Sequence, residues 1–417
     1  MTTTVAPPPQ EQKNPVYLKI LRPLSSPVLA LFTALWMGAI VIVLPAVFTF
    51  FFSGFSFDKA AQQFFNPLQA YGYLFKGAFG NWDDWFQGDF SALNQTLSLT
   101  TPYIFTTLAV AFCFKAALFN IGAEGQLKIG AVSAAAMGIV VGGTSPFIAV
   151  PLTLAAGILG GTLWGAIPGA LKALTGAHEV ITTIMLNYLS LVIISYLVGQ
   201  DGPMRGRILG QSTEIGENAR IPTIFPNLPL HWGFFVAIAA CFFFYWLLFN
   251  TPFGFEIRTV GVNPSAARYA GIKVKRILIA TLGIAGAVAG LAGTLEVMGN
   301  PNTFYKYTSP LGTGYGFDSI AIALIARNNP LFVPLAALLF ASLRSGASLM
   351  QLQTVTTYVD EAGRTITRQL PIELISILQG LIVLFMAAEQ VLRWLYRLRA
   401  ERAATATTFS RGWGKME

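Results

Sequence analysis

Long apolar blocks separated by short polar or glycine-containing joints fill most of this chain. A helix that crosses a bilayer needs about 20 mostly apolar residues. Blocks of that order lie at Val28–Phe52, Leu99–Leu118, Leu127–Val141, Phe147–Ala170, Ile181–Val198, Trp232–Phe249, Ile277–Met298, Leu331–Leu349 and Ile372–Ala388, with a shorter one at Phe317–Ala326. They predict about ten crossings and an all-α polytopic membrane protein. The membrane domain takes residues 28–391. Residues 1–27 before it are polar and proline-containing, and MTTTVAPPPQEQKN is too polar to order itself. Residues 392–417 form a basic tail. The first block exceeds the roughly 7–15 apolar residues of a cleaved signal and reads as a retained anchor.

Composition strengthens this reading. Of 417 residues, 54% are hydrophobic and 11% charged, against about 25% charged in soluble domains. Mean hydropathy is +0.59. Basic residues beside membrane spans collect on the cytoplasmic side. With the N-terminus inside, Lys13, Lys19, Arg22, Lys172, Arg258 to Arg276, Arg327 and Arg393 to Arg402 all fall there. The opposite face mixes its cations with acids: Lys59 with Asp58, Arg205 and Arg207 with Asp201, Arg364 with Asp360 and Glu361. An even number of spans then returns the C-terminus to the cytoplasm. The net charge of +8 is membrane orientation, and no nucleic-acid partner is expected. Two longer outer loops remain, 53–98 and 199–231, and Ser212 should be reachable from outside. Their aromatic residues, Trp82 and Trp85 among them, suit the lipid interface.

One basic loop stands apart. Thr251 to Arg276 carries Arg258, Arg268, Lys273, Lys275 and Arg276 between two apolar blocks. Ala266, Ala267 and Ala270 permit close approach of a helix, and Gly271 supplies a stop. A short helix offered to a cytoplasmic partner fits this pattern.

Ionisable and polar groups within apolar blocks are costly, so each is a candidate for function. Asn120-Ile-Gly-Ala-Glu-Gly-Gln126 packs a carboxylate, two carboxamides and two glycines between two spans. A helix broken inside the protein would carry that set along a cavity; an ordinary cytoplasmic turn is the alternative. Arg344 sits mid-block and needs a partner, with Glu124 and Glu296 as candidates. Asn187 is suited either to helix–helix hydrogen bonding or to a ligand. Asp318 reads as the N-cap of its span, with a cavity residue as the alternative, and Phe317 beside it could stack on a planar ligand. Gly283 to Gly293, GIAGAVAGLAG, is a close-packing signal. Cys113 and Cys241 fall inside spans and read as small apolar residues. No metal-ligand spacing and no G-x-x-x-x-G-K-[ST] occurs, so ATP-driven movement would have to borrow an ATPase. Nothing in the chain forms a convincing catalytic set.

LFNIGAEGQLKIGA, HEVITTIMLNYLS, TPFGFEIRTVGVNPSAARYAGI, AGAVAGLAGTLEVMG, GYGFDSIAIALIARNNPL and PIELISILQGLIVLF, in this order, resemble permease subunits of bacterial ABC importers. The branch is that of the ribose and branched-chain amino-acid permeases. FNIGAEGQ and EVITTIMLNY look like its nucleoside and simple-sugar members. Lys115, Lys128 and His178 depart from the usual pattern. The resemblance implies a type II importer fold in the bacterial inner membrane, embedded in lipid and without a cofactor of its own. It also implies a cytoplasmic ABC ATPase, a second related permease subunit and an extracytoplasmic substrate-binding lipoprotein. Arg258, Asn263, Ala266, Ala267, Arg268, Tyr269 and Gly271 would face the ATPase. Asn120, Glu124, Gln126, Asn187, Phe317 and Arg344 would line the substrate path. An ion-coupled carrier is the rival reading, with Glu124 and Glu296 as its titrating groups.

Overall fold

The computed structural model describes residues 16–387, except 53, 54, 56, 58–60, 62, 63, 227, 310, 312, 313, 360–364 and 372. The MTTTVAPPPQEQKN segment and the basic tail at 392–417 lie outside the described residues, as do the charge pairs Asp58/Lys59 and Asp360/Glu361/Arg364.

The chain runs as α1 (Val16–Phe52), α2 (Pro67–Phe79), α3 (Trp82–Phe86), α4 (Ser91–Lys115), α5 (Ala123–Val141), α6 (Pro146–Thr175), α7 (Glu179–Leu197), α8 (Gly233–Asn250), α9 (Pro252–Val262), α10 (Pro264–Tyr269), α11 (Val274–Gly299), α12 (Tyr315–Ile325), α13 (Val333–Gln353) and α14 (Glu373–Ala387). Every apolar block of the sequence is a helix. Among the described residues, eight helices are long and apolar enough to cross a membrane, while α12 and α14 are shorter apolar helices. Prolines start α2, α6, α9 and α10, where a missing N–H costs nothing.

Two features depart from the expected plan. The first outer loop is not simply a loop, because α2 lies in it and packs against α13. There Gly346 presses on the Leu74 carbonyl, and the Tyr71 hydroxyl donates to the Leu35 carbonyl of α1 at 2.6 Å. An antiparallel hairpin, β1 (Val355–Val359) with β2 (Thr365–Gln369), also interrupts the all-α architecture after α13.

Helix α4 is the buried centre of the bundle. Of its most apolar window, 89% is buried, against 22% for α6 and for α7. It is surrounded by α2, α8, α11, α12 and α13. On one side α5, α6 and α11 form a sub-bundle closed by glycines. A Cβ at Gly161 would overlap the Gly286 carbonyl, one at Gly165 would overlap the Leu282 carbonyl, and one at Gly130 would overlap Gly290. The Gly283–Gly293 stretch therefore packs backbone against backbone, as membrane helices with small residues do.

The segment 199–231 is laid over this sub-bundle instead of looping free. The Ser212 N–H donates to the Tyr307 carbonyl and that of Ile221 to the Met298 carbonyl. Ser212 is buried, so the expectation that it would be reachable is corrected; Leu209 in the same segment is exposed. Cys113 and Cys241 are free and buried.

Candidate functional site

Helix α4 ends in a left-handed turn. The Leu118 N–H donates to the Cys113 carbonyl and the Ala117 N–H to that of Phe114, with Ala117 at φ +53°. The chain then crosses to the start of α5 through residues whose backbone groups have lost their helical partners. The polar residues singled out in the sequence supply new ones. Asn120 Oδ1 accepts the Gly122 N–H at 3.0 Å, and its Nδ2 donates to Gln126 Oε1 at 3.0 Å. Asn187 Oδ1 accepts the Gly125 N–H at 2.8 Å, and its Nδ2 donates to the Ile121 carbonyl at 2.9 Å. Asn187 lies about two turns into α7, so this junction sits within the bundle. Asn120, Glu124, Gln126 and Asn187 are all buried. The segment is a buried helix break and not an exposed turn, and its carboxamides are occupied by the chain itself.

Glu124 joins this break to α12. Its carboxylate accepts the N–H groups of Gly314 at 3.0 Å and Gly316 at 2.8 Å, and Lys128 lies 3.0 Å away one turn along α5. The starts of α5 and α12 thus converge on one carboxylate, which both helix dipoles favour. The approach is close enough that a Cβ on Gly316 would overlap the Glu124 backbone nitrogen.

Beyond Gly316 the surface changes. The Tyr103 hydroxyl of α4 donates to Asp318 Oδ2 at 2.7 Å, and Arg344 Nη1 of α13 donates to the Tyr103 oxygen at 3.0 Å. Arg344 and Asp318 are 3.8 Å apart, with side chains 38% and 28% exposed. The guanidinium also lies 4.8 Å from the centre of the Tyr315 ring. Phe317 is 50% exposed beside them.

The structure adds to one expectation and corrects another. Arg344 reaches Asp318 at 3.8 Å, a partner the sequence does not suggest, while Glu124 pairs with Lys128, and Glu296, which feels the Arg344 charge, accepts from Asn300 Nδ2 at 3.0 Å. Asp318 is not an N-cap; Gly314 holds that position at φ +94°. An ion pair exposed to this extent is too costly to face hydrocarbon, so this face is expected to meet water or protein and not lipid. The partly exposed guanidinium and carboxylate with the Phe317 ring can hydrogen-bond and stack on a planar, hydroxyl-bearing solute, while Tyr103 and Tyr315 are buried behind them and hold the pair in place. Tyr103 escaped the sequence reading. Its signal was the run of threonines around it, Thr100, Thr101, Thr106 and Thr107, which is more polar than a lipid-facing helix needs.

The basic loop forms α9 and α10. Thr251 caps α9 by accepting the Gly254 N–H. Asn263 Oδ1 caps α10 by accepting the N–H groups of Ser265 and Ala266, and Gly271 at φ +83° follows its end. Ala267 is the buried anchor of α10. Ala266, Arg268 and Gly271 are exposed, and Tyr269 is 98% exposed. Arg258 lies over the Phe249 ring at 5.2 Å.

Broken apolar helices around a buried central helix, with a partly exposed charged group between them, define a polytopic membrane permease. The model of the family described as branched-chain amino acid transport system / permease component matches residues 92–387, and the chain belongs to that family. Among its relatives, the guanosine ABC transporter permease protein NupP of Bacillus subtilis (strain 168) is 32% identical over 91% of this chain and 97% of its own length. The nucleoside ABC transporter permease protein NupB of Lactococcus lactis subsp. cremoris is 32% identical over 82% of this chain and 90% of its own. The glucose ABC transporter permease protein TsgB13 of Haloferax volcanii is 32% identical over 78% of this chain and 81% of its own. No solved structure matches the chain.

Proposed function

We propose that this chain is the transmembrane permease subunit of an ATP-driven importer of nucleosides, working by alternating access in the bacterial cytoplasmic membrane with both termini inside. The observation that carries the substrate class is the group around Arg344. Its partly exposed ion pair meets the hydroxyls and ring nitrogens of a nucleoside, Phe317 offers a stacking face, and the buried Tyr103 holds the pair from behind. The names of the guanosine and nucleoside relatives support the same class; the glucose relative supports a simple sugar as the second reading. Asn120, Glu124, Gln126 and Asn187 hold the wall of this path in shape, while Phe317 and Arg344 face the solute. ATP is bound and hydrolysed on a separate cytoplasmic ATPase, which docks on Asn263, Ala266, Arg268, Tyr269 and Gly271; Ala267, expected in this face, is buried and anchors it from behind, and the half-buried Arg258 packs on Phe249. The exposure of Arg268 and Tyr269 supports this placing. A second, related permease completes the pore, and a substrate-binding lipoprotein delivers solute from outside.

The test is uptake of radiolabelled guanosine, adenosine, uridine and glucose in a host lacking these uptake systems, together with a pull-down from mild detergent. Saturable nucleoside uptake with a co-purifying ATPase is expected. Arg268→Glu should abolish uptake while the permease stays in the membrane. Glucose uptake alone would replace the substrate class. Uptake driven by an ion gradient without any ATPase would replace the mechanism.

A further inference from the structure

The connector between α4 and α5 is gripped at both ends by glycines from other elements. At one end Gly261 of α9 lies flat on the Lys115 carbonyl. A Cβ there would overlap that oxygen and stand 3.0 Å from the Lys115 carbonyl carbon and 3.1 Å from that of Ala116. At the other end Gly316 of α12 lies on the first turn of α5, where a Cβ would overlap the Glu124 nitrogen and come within 2.8 Å of the Ala123 carbonyl carbon. The atoms met are backbone in both cases, so no rotamer change relieves either contact.

Between the grips the connector has little slack. Ala117 occupies the left-handed position at φ +53°, which helix ends usually give to glycine and which an alanine adopts only with strain. Asn120 and Asn187 fix the rest. A close-packed, hydrogen-bonded segment of this kind passes on a displacement instead of absorbing it. Helix α12 has 11 residues and carries Phe317 and Asp318, so a push at its first turn reaches the proposed solute-facing surface directly.

We infer that Gly261 and residues 116–122 form the mechanical link by which movement of the 251–276 loop reaches the Glu124–α12 joint. Gly261 is thus a positioning residue of the transport cycle. This rests on the permease reading. The exposed tip of α10 meets the motor, α9 carries the movement inward, and the backbone contact at Lys115 transfers it to the membrane domain. The cations Lys115 and Arg258 bracket the Phe249 ring at 5.8 Å and 5.2 Å beside this contact.

The experiment compares Gly261→Ala with Gly143→Ala, a glycine whose Cβ would meet nothing within 4 Å. Each is introduced into the co-purified complex in proteoliposomes. Four quantities are read: ATPase retained, ATP hydrolysed and nucleoside taken up, all with Phe317 intact, and, in separate preparations carrying Phe317→Cys, maleimide labelling with and without ATP. Gly261→Ala is expected to keep the ATPase and its hydrolysis. It should lose at least tenfold in uptake, and its labelling should no longer respond to ATP. Gly143→Ala should match the wild type. Wild-type uptake, or labelling that still responds to ATP, would overturn the link. Loss of the ATPase from the complex would also overturn it, making Gly261 a docking contact. If Gly261→Ala does not accumulate, Asn187→Ala loosens the connector without adding bulk, because it removes the side-chain partners of the Gly125 N–H and the Ile121 carbonyl. More ATP hydrolysed per nucleoside imported is then expected, and an unchanged ratio counts against the link. A wild-type complex with neither ATPase nor uptake would instead bring down the permease reading, so the two failures are distinct.

Discussion

The two sides of α4 are built by opposite rules. On one side α5, α6 and α11 meet through Gly130, Gly157, Gly161, Gly165, Gly286 and Gly290, with backbone against backbone. On the other, α4, α12 and α13 meet through Tyr103, Asp318 and Arg344, whose charged side chains are partly exposed. On the glycine side most of the atoms met at Gly130, Gly161, Gly165, Gly286 and Gly290 are backbone, which cannot change rotamer, so the fit has little freedom. The polar side is held by long side chains that can exchange partners and water at modest cost. A transporter needs both a body that keeps its shape and a wall that changes. Here the two are joined at Glu124, which belongs to α5 and holds the start of α12.

That contrast can be broken most severely on the glycine side. Gly161→Leu should destabilise the protein by about 3 kcal/mol or more, because the leucine has no space to enter. Membrane yield and melting in detergent should collapse, and a well-folded Gly161→Leu protein would refute the rigid packing. The joint comes next. Glu124→Gln keeps the shape but strands Lys128 in a buried site, at a cost of about 3 kcal/mol. Reduced thermal stability and impaired uptake should appear together in this variant; unchanged values of both would mean that Glu124 holds nothing.

Acid should also loosen the glycine side. His231 is packed between Gly233 and Gly299, and burial pushes its imidazole down to about 4 from 6.5. Its folded value lies below its unfolded one. As pH falls from about 6.5 towards 4, the unfolded chain therefore takes up a proton that the folded chain resists, and stability declines. Thermal melts of wild type and His231→Gln across that range should diverge, and parallel curves would remove the effect. The polar side should respond least in stability. Asp318→Asn should melt within about 1 kcal/mol of wild type, since the pair is partly solvated, yet lose about tenfold in uptake. A large fall in stability would make the pair structural.

The crossings were legible because in lipid the length of an apolar block nearly determines the helix. Helix α2 was not, since PLQAYGYLFKGAF is short and carries Gln and Lys. The hairpin was missed because its strands are brief and polar. The helix break could be read in Asn120–Gln126, as freed backbone groups demand carboxamides nearby. The pairing of Arg344 could not, because Asp318 and Tyr103 reach it from separate helices and no local pattern encodes that meeting. The same holds for Gly261, whose sequence neighbours point to a loop and not to the Lys115 carbonyl. The short helix at 264–269 was visible because asparagine, proline, small residues and a following glycine are its start, body and stop.

The glycine-locked pair of α6 and α11 has one more consequence. These helices contain 30 and 26 residues, about 45 and 39 Å at the usual rise, against a hydrocarbon layer of about 30 Å. Neither can slide past the other, so they must lean or protrude together. Bilayer thickness will then set the inclination of that whole block, and the acyl-chain length of the host lipid becomes a control on transport even with no lipid bound at any particular residue.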